Sequence, residues 1–199
     1  MPQIGFLLLC GGHSRRMGQP KGLLPVHGVT MAQQIALAGA AFPEKIFSVN
    51  EPFPVPEGFV PLQDVYPDCG PMGGLHAALS ACKSDALVCA PCDAPYYHAA
   101  LARFLAAQYD PAWDAVVLQD ETGRVHPLMG LYRKSCLSVF TPCLQSRQNK
   151  LMRALDSLHT KVLPLPPELS QQVFLNLNTP EAYQEWLAQA GELPQEKIP

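Results

Sequence analysis

Residues 4–10 read IGFLLLC, an uninterrupted apolar run that leads straight into the glycine pair Gly11–Gly12 and then into Arg15, Arg16 and Lys21. A strand that is apolar on successive residues buries both of its faces. It therefore belongs inside a parallel sheet covered by helices on two sides. The rest of the chain keeps the same rhythm. Apolar runs at 45–49, 59–62 and in DALVCAPCD alternate with helical patterns at 30–41, at GGLHAALSAC and at 97–108. Leu75, Ala78, Leu79 and Cys82 fall at i, i+3, i+4 and i+7, one face of a helix. Further on, WDAVVL, HPLMGLYR, KVLPL and VFLNL read as strands, and 136–146 and 150–158 as helices. Thr179, Pro180 and Glu181 form a helix start, followed by Tyr183, Trp186, Leu187 and Ala190 on one face. The expected class is α/β, with a mostly parallel central sheet and helices on both faces. We expect one domain over 1–190 and a polar, fraying tail over 191–199.

Composition narrows the function. Hydrophobic residues make up 48% of the 199 and charged ones 16%, enough for a large core. The net charge of −3 gives no electrostatic case for nucleic acid or an anionic membrane as partner. The first apolar run is far shorter than the ~20 residues of a membrane span. It also lacks the preceding basic segment of a signal peptide, so a cytoplasmic enzyme is expected. The seven cysteines sit in apolar or helical settings and read as small core residues in a reducing compartment. Cys89 and Cys92 make a CxxC. It has no second CxxC and does not open a helix, which argues against zinc or redox chemistry.

In open α/β sheets, ligands bind beyond the carboxyl ends of the strands. The loop after the first strand is such a place. Gly11 and Gly12 allow a sharp turn with bare N–H groups, and the nearby cations suit a polyphosphate. Two familiar phosphate loops do not fit. Walker A requires Gly-Lys-Ser/Thr, but Gly18 is followed by Gln19 and Pro20, and GGHSRRMG lacks the Rossmann G-x-G-x-x-G.

LCGGHSRRMGQPKGLL does resemble the (L/A)-A-G-G-x-S-x-R-M-G-x-x-K signature of the nucleotidyltransferase superfamily, a Rossmann-like fold. It departs at Cys10, where alanine is usual, and at Pro20, which removes an N–H. Four later segments narrow the resemblance: VNEP with Asn50, QDVYPDCGPMGGLHAAL with Asp64, APCDAPY with Asp93, and FLNLNTPEAYQEW. In this order they resemble the molybdenum cofactor guanylyltransferase family over residues 4–187.

That resemblance implies GTP and molybdopterin as substrates, pyrophosphate as a product and Mg²⁺ as cofactor. It implies GTP contacts at Leu9, Cys10, Gly11, Gly12, Lys21, Asn50, Asp64 and Asp93, with Asp93 also holding the metal. Arg16 and Lys21 would neutralise the leaving pyrophosphate, alongside Asp93 as the catalytic group. No general base is needed, since the attacking pterin phosphate is already an anion. Asn176 and Asn178 are candidates for the pterin side. Arg147, Lys150 and Arg153, spaced i, i+3, i+6, would form a basic helix face, solvated or facing the pterin phosphate. His126 and Pro127 fit the family pattern and are assigned a structural role. Other molybdenum cofactor biosynthesis proteins are possible partners. The competing readings are cytidylyl transfer to the same acceptor, a sugar-phosphate nucleotidyltransferase, and a non-catalytic GTP-binding protein.

Overall fold

The structure is a computed structural model that describes residues 2–11, 20–26 and 28–189. In chain order the strands are β1 (Ile4–Leu9), β2 (Pro25–Val26), β3 (Val29–Thr30), β4 (Lys45–Ser48), β5 (Val60–Leu62), β6 (Ala86–Pro91), β7 (Ala115–Gln119), β8 (Val125–Arg133) and β9 (Thr160–Pro164). The α-helices are α1 (Met31–Ala36), α2 (Pro71–Ala81), α3 (Ala99–Ala106), α4 (Leu137–Gln145), α5 (Leu151–Leu155) and α6 (Pro180–Gln189). Among the described residues no helix is long and apolar enough to cross a membrane.

Seven strands form one sheet in the order β5-β4-β1-β6-β8-β7-β9. All neighbours are parallel except β8, which runs against both β6 and β7. The expected mostly parallel sheet is what forms. Side-chain alternation along β1 shows why the run is apolar throughout. Phe6 and Leu8 join the core under α1, α3 and α6, while Leu7 and Leu9 join the core under α2, α4 and α5. Pro61 sits in the edge strand β5, where a missing N–H costs no ladder bond.

Helix α1 starts as expected at Thr30. Its hydroxyl accepts from Gln33 N (3.2 Å), and the Gln33 side chain accepts from Thr30 N (2.8 Å), a capping box. The helical turn then tightens to a 3₁₀ helix over Leu37–Gly39, so the 30–41 pattern is two elements and not one helix. At Gly39 a Cβ would lie 2.6 Å from the Phe6 ring, so only glycine lets this turn rest on that ring.

Two further expectations fail. VFLNL is not a strand: Gln171–Phe174 is a 3₁₀ turn, and the next residues stay irregular. The backbone of Leu177 donates to Asp93 O (2.9 Å), so the segment packs across the strand ends and does not join the sheet. Arg147, Lys150 and Arg153 do not share a helix face. Arg147 has a φ of 56° in the turn after α4, and α5 begins only at Leu151. β2 and β3 form a small antiparallel hairpin that the apolar pattern does not reveal. The residues over 191–199, the expected tail, and Ala190 lie outside the described residues.

Candidate active site

The strand order reverses between β1 and β6, because the chain leaves β1 toward β4 and β5 and returns on the other side at β6. At such a reversal the loops leave the sheet in opposite directions and open a crevice. A cavity of about 150 Å³ lies there, lined by Leu9, Cys10, Gly11, Lys21, Asp64 and Asp93 among others. Six of the residues expected from the sequence thus meet in one place.

Lys21 and Asp93 come from opposite walls. Lys21 begins a 3₁₀ turn (Lys21–Leu23), and Asp93 follows the end of β6. Lys21 Nζ lies 2.8 Å from Asp93 Oδ2, and both side chains are 19% exposed. Gly22 seats the lysine. A Cβ there would collide with Cys10 Sγ and come within 2.8 Å of the Phe53 ring, so the turn can press onto both only with glycine. Lys21 Nζ also donates to Asn178 Oδ1, which brings the loop before α6 to the cavity.

Asn50 and Asp64 pair off at the other wall. Asn50 Nδ2 donates to Asp64 Oδ2 (3.0 Å), and Asp64 N donates to Asn50 Oδ1 (2.9 Å). Burial holds the Asp64 carboxyl above the usual carboxylate range, against the lowering pull of the Asn50 bond. Asp64 Oδ1 and Ser48 Oγ are buried without a well-formed hydrogen bond among the described residues, although the Ser48 hydroxyl is near enough to pull the Asp64 carboxyl down as Asn50 does. Over them lies the start of α2. It opens at Gly70, whose φ of 63° and ψ of −156° only glycine adopts freely, and it has no side-chain cap. A Cβ at Gly73 would lie 2.9 Å from Asp64 Oδ2, and one at Gly74 would lie 2.5 Å from Ser48 Oγ. The sequence PMGG is the signal for this close approach.

Cys10 and Cys92 also line the cavity. Their mutual hydrogen bond, with burial, raises the Cys10 thiol far above its ordinary range. The CxxC partner Cys89 is fully buried in β6, and burial raises it too. The sequence pair Cys89–Cys92 is therefore not the spatial pair. All seven cysteines are free.

Of the remaining expected residues, Gly12 and Arg16 lie outside the described residues. Asn176 turns back on its own loop, donating to Phe174 O (3.2 Å). His126 braces that loop: its ring stacks on Phe174 at 4.2 Å while Nε2 meets Asp120 Oδ2 at 2.9 Å. The His126 bond, with one from Thr122, holds the Asp120 carboxyl well below the usual range. Ser48, Gly22, Cys92 and Leu128 belong to the cavity or its seat but were not singled out in the sequence as site residues, although Gly22 and Cys92 lie inside the quoted motifs. Leu128 reaches it because β8 carries an irregularity opposite Val117 and Leu118.

The donor set suits a hard cation. Among the described residues no group of three or more His, Cys, Asp or Glu is clustered for a metal. A single oxygen donor at the rim, Asp93, fits Mg²⁺, which takes one or two carboxylates and fills its shell with phosphates and water.

Comparison with known proteins follows the same line. The MobA-like NTP transferase domain family matches residues 6–161. A probable molybdenum cofactor guanylyltransferase of Carboxydothermus hydrogenoformans is 32% identical over 200 residues, covering 94% of this chain and 96% of that one. A molybdenum cofactor guanylyltransferase of Vibrio cholerae is 30% identical over 192 residues, covering 94% and 91%. Among solved structures, molybdopterin-guanine dinucleotide biosynthesis protein A from Archaeoglobus fulgidus has the same fold. Its TM-score is 0.77 at 19% identity, over 96% of this chain and 100% of that one.

Proposed function

The chain belongs to the MobA-like NTP transferase family, and from that premise we propose that it transfers the guanylyl group of GTP to the terminal phosphate of molybdopterin, with pyrophosphate as the second product. The observation that carries this reading is the meeting of Lys21, Asp93 and Asn178 across the crevice between β1 and β6. It places a cation, a carboxylate and a polar group from the last loop around one cavity.

In this reading the triphosphate lies over Cys10, Gly11 and Gly12. A pterin phosphate oxygen attacks the α-phosphorus, and the bond to the β-phosphate oxygen breaks. Asp93 would hold Mg²⁺, which would supply positive charge to offset that on the departing pyrophosphate. Lys21 neutralises Asp93 in the absence of substrate and lies within reach of the same phosphates. Arg16, a candidate on its sequence position, adds a second cation. Leu9 to Gly11, Asn50 and Asp64 read the guanine, because unmatched polar contacts reject a wrong base strongly. Asn178 is the candidate for the pterin side, and Asn176 supports it through its backbone oxygen, which accepts from Asn178 Nδ2 (3.5 Å). The unit of function is the single domain 1–190, acting in the cytoplasm, and other molybdenum cofactor biosynthesis proteins are its natural partners.

The test is nucleotide binding with Mg²⁺, comparing GTP, CTP and ATP on wild type and on Asp93→Ala, together with pyrophosphate release in the presence of molybdopterin. Selective GTP binding whose Mg²⁺-dependent part disappears in Asp93→Ala is expected. Preference for CTP would change the product, and binding without turnover would make this a nucleotide-binding protein.

A further inference from the structure

We propose that Cys10 and Cys92 form an oxidisable thiol pair in the wall of the nucleotide cavity, and that a peroxide converts them to a disulfide that closes the cavity to GTP. The loss of GTP binding rests on the guanylyl-transfer reading. The thiol chemistry rests on geometry alone.

β1 and β6 are adjacent and parallel, with Leu9 opposite Pro91 as the last paired residues. Cys92 N donates to Leu9 O (3.0 Å), so Cys10 and Cys92 are the next pair along. Neighbouring strands lie about 4.8 Å apart, inside the roughly 4.4–6.8 Å between Cα atoms that a disulfide spans. Both side chains pack against the core formed by Phe6 and Leu8, so they leave the strands on one face. Backbone bonds from Cys10 N to Ser48 O (2.9 Å) and from Cys92 N to Leu9 O hold the two residues side by side.

Access separates this pair from the other cysteines. Cys69, Cys82, Cys89 and Cys136 are buried, and Cys143 stands in α4 on the opposite side of the sheet. Only Cys10 and Cys92 combine partial exposure with a thiol neighbour and a place on the cavity wall.

The step balances. Hydrogen peroxide oxidises one thiol to a sulfenic acid and releases water. The second sulfur attacks it, forms the S–S bond and displaces a second water. Two electrons pass from the two thiols to the peroxide. The sulfurs then close to about 2.05 Å. Cys10 Sγ underlies Gly22, the seat of Lys21, and Cys92 precedes Asp93. Shortening the sulfur–sulfur distance therefore shifts both walls of the cavity.

The experiment treats reduced protein with hydrogen peroxide, alkylates remaining thiols, and maps peptides by mass spectrometry while GTP affinity is measured with Mg²⁺. The expected result is a Cys10–Cys92 cross-linked peptide and a loss of GTP affinity of about tenfold or more, reversed by dithiothreitol. Cys92→Ala should give neither cross-link nor loss relative to its own reduced state, and Cys143→Ser should behave as wild type. Recovery of Cys10 and Cys92 as separately alkylated thiols would overturn the proposal, as would a cross-link with unchanged affinity. If reduced protein binds no GTP, the guanylyl-transfer reading falls, and the peptide map still decides whether the pair oxidises.

Discussion

At the amino end of the sheet, Glu44 accepts hydrogen bonds from Lys83 N (2.9 Å), Ser84 N (2.8 Å) and Ser84 Oγ (2.6 Å). Asp85 accepts from Gln3 N (2.8 Å), and Asp114 accepts from Ser135 Oγ (2.5 Å) and His159 N (3.0 Å). Burial raises Glu44 and Asp114, and these bonds more than reverse it, leaving both carboxyls below the usual range. At the carboxyl end, Asp64 is pushed the other way and keeps one oxygen without a well-formed hydrogen bond among the described residues. One end spends its carboxylates on stitching loops together. At the other, Asp64 stands apart: it keeps a buried oxygen beside a cavity that a ligand would fill, while Asp93 there is paired with Lys21.

The comparison can be broken most sharply at Asp93. Replacing it by alanine should lower the turnover rate by roughly 10²–10³-fold or more, read by pyrophosphate release. Unfolding by urea should shift little, since a partly exposed ion pair is worth only about 0–1 kcal/mol.

Next come two glycines under equal crowding. At Gly5 a Cβ would lie 2.7 Å from Leu87 Cδ2 and 3.2 Å from Glu44 O; at Gly74 it would lie 2.6 Å from Leu9 Cδ2. Gly5→Ala, at the stitched end, should cost about 1–3 kcal/mol in stability and leave GTP affinity unchanged by calorimetric titration. Gly74→Ala should lose less stability, because alanine gains about 1 kcal/mol of helix propensity. It should weaken GTP binding instead.

Glu44→Gln removes a charge whose folded pKa is lowered. Its contribution is present above the ordinary carboxyl pKa and is lost as pH falls through the folded value. The variant should be about 1–2 kcal/mol less stable near pH 7, with the gap closing below about pH 4. Asp64→Asn has the opposite sign and the smallest effect. The raised pKa means that the ionised form is penalised in the fold. The variant should unfold at slightly higher temperature near pH 7, with the gain vanishing in acid, while GTP affinity falls. A loss of stability at Asp64→Asn would remove the distinction between the two ends.

Much of this was legible in the sequence. The apolar strands, the Thr179 helix start and the cationic first loop with Lys21 were read from local pattern, while Asp64 and Asp93 came with the family resemblance. Thr179 Oγ1 does accept from Ala182 N (3.2 Å). What stayed hidden depends on long-range contact. VFLNL has strand composition, but Leu177 bonds to Asp93 and Phe174 stacks on His126, so tertiary partners override propensity. The neighbour of Cys92 in space is Cys10, 82 positions away and invisible to a search for C-x-x-C. Ser48 looks like any strand serine until α2 is laid over it.

The loop around Asn178 has one more consequence. Lys21 meets Asn178 across 157 positions of sequence, and the Tyr183 hydroxyl donates to Pro25 O (2.6 Å) across 158. All seven strands of the sheet are complete by Pro164. During synthesis, then, the scaffold and the lining of the cavity can form before Lys21 meets Asn178. A chain halted at about residue 170 would hold all seven strands and the Lys21–Asp93 pair, and Asn178 would join them only as the final helix docks.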